Sequence, residues 1–369
     1  MTIAQLEIQL VAIVTAVACT LPGVFLILRR MAMMSDAISH TVLLGIVVGF
    51  FITRDINSPF LMIGAAATGV LTVLFVEILN RTGLVKSDAS IGLVFPALFS
   101  IAVVLISRFA GDVHLDSDAV LLGELAFAPF DRFAPFGVDL GPRGLYVMGG
   151  ILLLNLAFIL FFFKELKLAT FDAGLAAALG FTPTLIHYAL MGLVSITAVG
   201  AFDIVGSILV VALMVAPPVT AYLLTDYLPR MFGLSALVGA LNAVSGYWLA
   251  RLLDASIAGS MATMSGVIFA LVFLLAPERG MIAILRRRVR QKWEFARKAL
   301  LIHLLNHEGK PGEECECQVD HLSDHFSWDE TFANRVLRSA IQKGVVVREG
   351  TKLLLTEYGR ALARQAMIQ

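Results

Sequence analysis

Nine long runs without a charged side chain constrain this sequence more than any other feature: Ile8 to Leu28, Ala37 to Thr53, Ile56 to Val76, Ala89 to Ser107, Gly144 to Phe163, Gly180 to Phe202, Ile204 to Thr225, Met231 to Ala250 and Ala255 to Pro277. Most reach the ~20 residues that a helix needs to cross a ~30 Å hydrocarbon core. The second reaches that length from Met31, at the cost of one buried acid. With 58% hydrophobic and 15% charged residues, the chain does not have the composition of a soluble globular protein. The expectation is an all-α polytopic membrane protein of about nine transmembrane helices over residues 1–280, followed by a small soluble domain over 281–369.

Charge placement supplies an orientation. Arg29, Arg30, Arg81, Lys86, Lys164, Lys167 and Arg230 fall on one side of the alternating spans, and Arg54, Arg108, Arg132, Arg143 and Arg251 on the other. The cluster Arg286, Arg287, Arg288, Arg290 and Lys292, directly after the last span, assigns the first side and the C-terminal domain to the cytosol. The N-terminus is then outside. Residues Met1 to Leu10 carry no basic n-region and the run behind them is too long for a signal peptide, so the first span is expected to be retained. One cysteine, Cys19, lies in a span and two, Cys315 and Cys317, in the tail, which gives no disulfide framework.

The most informative segment is Arg29 to His40. If the two arginines mark the inner boundary, a rise of ~1.5 Å per residue puts Asp36 about 9 Å and His40 about 15 Å into the core. Four residues apart, they share a helix face with Cβ atoms roughly 5–6 Å apart. A carboxylate at that depth costs several kcal/mol unless it meets a cation or a donor. Carboxylate with imidazole suits Mn²⁺, Zn²⁺ or Fe²⁺; the alternative is a structural hydrogen bond stapling two helices. Met31, Met33 and Met34 read as packing or lipid-facing residues.

Other intramembrane signals are weaker. Asp203 falls in a very tight turn between two runs, on the outer side, where it could pass a cation inward or cap a helix. Pro217 and Pro218 are expected to break their span near the midplane, and Pro96 to do the same in the fourth. The outer connection Phe109 to Pro142 carries Asp112, His114, Asp116, Asp118, Glu124, Asp131 and Asp139, with a short apolar piece, Val120 to Ala128, that is re-entrant or interfacial. It reads as a solvated loop or as an acidic vestibule. On the inner side, Thr170 to Pro183 reads as a short helix capped by Thr170 or Asp172 and closed by Gly180 and Pro183.

The stretches Met34 to His40, Asp88 to Gly92, Leu121 to Glu124, Leu175 to Gly180 and Ile208 to Pro217 resemble the permease family of ABC transporters for manganese, zinc and iron. The likeness covers roughly the first 280 residues, and the run ending in Asp36 to His40 is its specific part. The resemblance implies a subunit of an ATP-driven importer in the bacterial inner membrane, with Asp36 and His40 in the translocation site. It implies a second permease subunit, identical or not, and an extracytoplasmic metal-binding protein that delivers Mn²⁺, Zn²⁺ or Fe²⁺ as cargo. A cytosolic ATPase pair would contact the short inner helix at Asp172, Leu175, Leu179 and Gly180. The chain has no Gly-x-x-x-x-Gly-Lys-Ser/Thr loop, so ATP hydrolysis is expected on a separate subunit and no tightly bound cofactor is expected here.

In the tail, helices near Trp293 to Asn306, Val319 to His325 and Asp329 to Lys343 precede strands Val345 to Arg348 and Lys352 to Leu355 and a last helix. That order resembles the winged helix of metal-dependent repressors, an α+β fold. The expected recognition helix carries Arg335, Arg338 and Lys343 but also Asp329 and Glu330, and membrane anchoring makes DNA an awkward partner, so a regulatory or protein-contact role is favoured over nucleic acid. Cys315, Cys317, His321 and His325, with His303 and His307 upstream, have residue types a transition metal could use, although the spacing matches no standard zinc finger. Glu308, Glu313, Glu314 and Glu316 argue instead for a solvated loop.

Rival functions make different demands. An intramembrane protease would need Asp36 and Asp203 at one depth, and neither Gly-x-Gly-Asp nor His-Glu-x-x-His occurs. A membrane-tethered metal-responsive regulator predicts a strongly basic recognition helix. A secondary metal-ion transporter would also bury Asp36 and His40 near the midplane and is the nearest alternative.

Overall fold

The computed structural model describes residues 2–55, 58–109, 125–134, 139–311 and 313–368. The residues Asp112, His114, Asp116, Asp118 and Glu124 of the outer connection, the stretch Leu121 to Glu124 and most of Val120 to Ala128 lie outside the described residues. The chain divides into two compact units, Met1–Gly280 and Met281–Gln369.

The first unit consists of α1 (Ile3–Leu28), α2 (Ala32–Thr53), α3 (Pro59–Arg81), α4 (Ser87–Phe109), α5 (Arg143–Phe161), the short α6 (Phe163–Phe171) and α7 (Ala173–Ala178), then α8 (Pro183–Leu224), α9 (Leu228–Leu253) and α10 (Ile257–Leu275). Among the described residues, eight of these helices are long and apolar enough to cross a membrane. Leu93, Leu153 and Leu160 are more than half exposed, as helix faces turned to lipid would be.

Nine apolar runs become eight helices because α8 holds two of them. Its 42 residues would extend about 63 Å if straight, twice a hydrocarbon core. It is not straight. Gly206 has φ 77° and ψ 164°, a conformation essentially confined to glycine, and the helix bends sharply there. Contacts with α1 show the direction. His187 of α8 meets Arg29, and Ile204 lies with Val11 against Gly144, so the first half of α8 runs antiparallel to α1. Met214 and Pro218, beyond the bend, pack on Gly23. The second half therefore returns toward the Arg29 end, and the tight turn falls beside Asp203.

The prolines do not break their helices as expected. Pro22, Pro96, Pro217 and Pro218 all lie inside continuous helix, and Gly206 is the non-helical residue of α8. A helical proline leaves the carbonyl four residues earlier without its amide partner, and neighbouring helices can supply a replacement. Pro22 frees the Ala18 carbonyl, and the buried Asn155 of α5 donates Nδ2 to it at 2.9 Å. Asn155 also bonds Thr197 of α8 at 3.0 Å, so one amide joins three helices. Pro218 frees the Met214 carbonyl, and Gly23 of α1 packs against that oxygen so closely that no side chain would fit between them.

Helices α2 and α3 approach through glycines. A Cβ on Gly64 would lie 2.6 Å from the Gly45 carbonyl oxygen, which leaves room for no side chain at either position. Thr72 and Thr41 share a buried hydroxyl contact of 2.7 Å farther along the same seam.

The second unit contains α11 (Met281–His307), α12 (Glu313–Glu316), α13 (Val319–Phe326), α14 (Glu330–Gln342), β1 (Val346–Glu349), β2 (Lys352–Leu355) and α15 (Glu357–Ile368). The basic cluster Arg286 to Lys292 is part of α11, which starts twelve residues before the helix expected near Trp293. Strands β1 and β2 pair antiparallel from Val346 with Leu355 to Glu349 with Lys352, around a turn in which Gly350 takes φ 63°. Leu300, Leu304, Leu322, Val336, Leu337, Leu353 and Leu355 fill the core. Arg360 of α15 grips the Glu308 carboxylate through Nε at 2.9 Å and Nη2 at 2.7 Å. The neighbouring carboxylate holds the Arg360 guanidinium pKa above its ordinary value.

Candidate functional site

Asp36 and His40 lie one turn apart on α2, with Oδ1 and Nε2 3.5 Å apart. Each side chain is about a third exposed, while their neighbours Ser35, Ala37, Ile38 and Ser39 are buried. The two side chains are thus partly accessible on a stretch of helix whose other side chains are packed. Ile38, between them, packs beside Gly69 of α3 and Ser195 of α8. Ser195 is eight residues along α8 from His187, which puts the pair about 12 Å from the level of Arg29. Because both residues belong to one helix, their contact does not staple two helices.

What holds the imidazole is aromatic. His40 stacks on Phe95 at 5.6 Å between ring centres and meets Phe99 edge-on at 5.9 Å, both from α4. A ring clamped on two sides keeps one rotamer and offers Nε2 in a fixed direction. Sequence reasoning passed over these two phenylalanines; their spacing of four on a span was the available signal.

A second polar group, also overlooked, closes the Arg29 end. Arg29 Nε donates to Thr170 Oγ1 at 3.0 Å and its Nη1 to His187 Nδ1 at 3.3 Å. His187 Nε2 lies 4.0 Å from Glu77 Oε2, and Arg81 Nη2 donates to Glu77 Oε1 at 2.5 Å. These residues join the ends of α1 and α3 to α6 and the start of α8. Glu77 was visible as an acid within one turn of Arg81, and His187 as an imidazole inside an apolar run.

Asp203 is exposed and sits elsewhere. It lines a cavity of about 260 Å³ with Met62, Phe127, Asp131, Arg143 and Gly200. Sixteen residues of α8 separate it from His187, about 24 Å of helix, so the structure does not bring it to Asp36 and His40.

On the Arg29 side, Asp172 caps α7 by accepting from the Leu175 amide at 2.8 Å. Thr170 is engaged with Arg29 and does not cap. Gly180 closes the segment at φ 85°. Leu175 and Leu179 are 47% and 61% exposed, an apolar knob on a rigid, doubly capped turn.

In the second unit, the structure gathers His303, His307, Glu316, His321 and His325. Cys317 is buried in the core, where burial pushes its thiol pKa up, and Cys315 is exposed; neither belongs to the groups of converging ligand atoms found among the described residues. Glu316, read from the sequence as part of a solvated loop, takes the central place. Burial, opposed in part by the Glu316 carbonyl, lowers the pKa of His303.

Comparison with known proteins agrees with this architecture. The description "ABC 3 transport family" matches residues 4–276. The zinc transport system membrane protein TroD of Treponema pallidum is 50% identical over 359 residues, covering 97% of this chain and 98% of that protein. The manganese transport system membrane protein MntD of Bacillus subtilis is 49% identical over 270 residues, covering 73% and 91%. Among solved structures, a chain of PsaBC from Streptococcus pneumoniae in complex with Fab aligns with a TM-score of 0.62 at 28% identity, over 76% of this chain and 94% of that one. By its apolar helices, its matched family region and these relatives, the chain belongs to the ABC 3 transport family of membrane proteins.

Proposed function

We propose that this chain is the permease subunit of an ATP-binding-cassette importer for a divalent transition metal ion, Mn²⁺ or Zn²⁺, with Fe²⁺ as a further candidate cargo. The observation that carries the reading is the Asp36–His40 pair: a carboxylate and an imidazole 3.5 Å apart, partly exposed on a helix with packed neighbours. Such a pair replaces part of an ion's hydration shell while leaving coordination positions open, so the ion can also leave. The transport systems named for the relatives carry zinc and manganese, which agrees with a mixed nitrogen and oxygen ligand set.

The remaining parts take places in the same scheme. The capped α7, with Leu175 and Leu179 outward, fits a groove on a cytosolic ATPase. The Arg29, Glu77, Arg81 and His187 group closes the pathway on that side while the ion waits at α2. Asp203, in the cavity at the opposite end, receives the ion from an extracytoplasmic binding protein. A second permease subunit completes the pathway.

Reconstitution tests this. Vesicles containing the permease with its ATPase and binding protein are expected to accumulate Mn²⁺ or Zn²⁺ only when ATP is supplied. Equal accumulation by this chain alone, driven by an ion gradient, would establish the secondary-transporter alternative instead.

A further inference from the structure

The second unit holds four of the chain's seven histidines, and they converge. His303 and His307 lie one turn apart at the end of α11, and His321 and His325 one turn apart on α13. The two pairs face each other, with the His303 and His325 ring centres 4.3 Å apart and those of His303 and His307 4.6 Å apart. Glu316, on α12, projects its carboxylate between them. The ligand atoms of His303, His307 and Glu316 all fall within 4.8 Å of one another, as do those of Glu316, His321 and His325.

A hydrophobic core does not account for this arrangement. Leu300, Leu304 and Leu322 belong to the core of this unit, and His303, buried beside Phe326, would be destabilising there without a polar partner. Hydrogen bonding accounts for only part of it. His303 Nε2 donates to the Glu316 carbonyl at 3.0 Å, which orients that ring and leaves Nδ1 as its basic nitrogen. His321 Nε2 and Glu316 Oε2 approach to 2.8 Å, an ion-pair contact whose two atoms are shielded from solvent. One ion pair does not require the other three imidazoles to converge on the same carboxylate, whereas a metal site does.

We propose that the second unit binds a divalent transition metal ion, Zn²⁺ in preference to Mn²⁺, through Glu316 together with imidazoles of α11 and α13. Imidazole nitrogen with a single carboxylate is a borderline donor set that suits Zn²⁺, whereas Mn²⁺ favours sets richer in oxygen. The ion would clip α13 to the end of α11 through α12. The site is separate from Asp36 and His40 and stands whether or not the transport reading holds.

The test uses the full chain in detergent, stripped with chelator and titrated with Zn²⁺, Mn²⁺ and Co²⁺, following heat by calorimetry and the visible absorption of bound Co²⁺. Asp36→Ala with His40→Ala serves as the background, so that the membrane pair contributes nothing. Zn²⁺ is expected to bind that background and to raise its thermal midpoint. Either Glu316→Ala or the double variant His321→Ala with His325→Ala is expected to weaken binding by about a hundredfold and abolish the Co²⁺ bands. Cys315→Ser is expected to change nothing. Unaltered Zn²⁺ binding in both the Glu316 and the double histidine variants would overturn the proposal, as would loss of the Co²⁺ bands on Cys315→Ser alone. His325→Ala, at an exposed position, covers the case in which a more buried variant misfolds: undiminished affinity there with loss of secondary structure in the others would also count against the site.

Discussion

At the scale of single residues, the account depends on groups that neighbours hold in place. His40 is clamped by Phe95 and Phe99, so Phe95→Ala should free the ring without removing a ligand. Uptake is expected to drop about tenfold, with half-saturation moved to higher metal concentration, measured as initial rate against ion concentration; a Phe95→Tyr variant should restore most of it. The Arg29 end makes a different prediction. Glu77→Gln keeps the volume but removes the charge facing His187 and Arg81, which should lower stability by about 1–3 kcal/mol, read as the thermal midpoint in detergent. Asp36 and His40 were legible in the sequence because a fourfold spacing and depth below Arg30 can be counted along one helix. Phe95, Glu77 and His187 left only weak local signals, because what distinguishes them is which residue of another helix they meet, and that depends on packing.

At the scale of elements, the apolar runs translate directly into helices, and the interruptions reveal what packing adds. Two adjacent prolines at the centre of a run looked like a break, yet α8 continues through Pro217 and Pro218 because Gly23 covers the carbonyl that Pro218 leaves bare. The bend sits at Gly206 instead, where a glycine can take φ 77°. Gly206→Ala is therefore expected to cost about 1–3 kcal/mol, while Gly192→Ala, at a helical glycine with only one neighbour at the edge of contact, should be close to neutral; thermal midpoints of the two variants check this. The seam between α2 and α3 leaves no room at Gly45, and Gly45→Leu should displace α2 and abolish transport even though no ligand is altered. For α7, a cap at Thr170 or Asp172 and a close at Gly180 were readable from the sequence as local signals, whereas the exposure of Leu175 and Leu179 comes from the structure. Leu175→Asp should leave metal binding unchanged and uncouple ATP hydrolysis from uptake, measured side by side in the assembled transporter.

At the scale of the whole molecule, the division at Gly280 separates a unit that matches the family from one that extends past it. The Treponema pallidum relative aligns over 97% of this chain and so shares the second unit, whereas the alignment to the Bacillus subtilis relative covers 73%. A chain ending at Gly280 is thus expected to insert and transport, and to lose the Zn²⁺-dependent rise in thermal midpoint assigned to Glu316 and its histidines. The helix order of that unit could be read in advance, but its ligand set could not: Cys315 and Cys317 drew attention by residue type, whereas Glu316 becomes central only when α11 and α13 converge on it. The central claim concerns the first unit, and it is tested most directly by ATP-dependent Mn²⁺ and Zn²⁺ uptake in reconstituted vesicles, comparing wild type with Asp36→Ala and His40→Ala while ATP hydrolysis is followed in the same samples. The account predicts that both variants assemble and hydrolyse ATP but accumulate little or no metal. Uptake at the wild-type rate in both would contradict it.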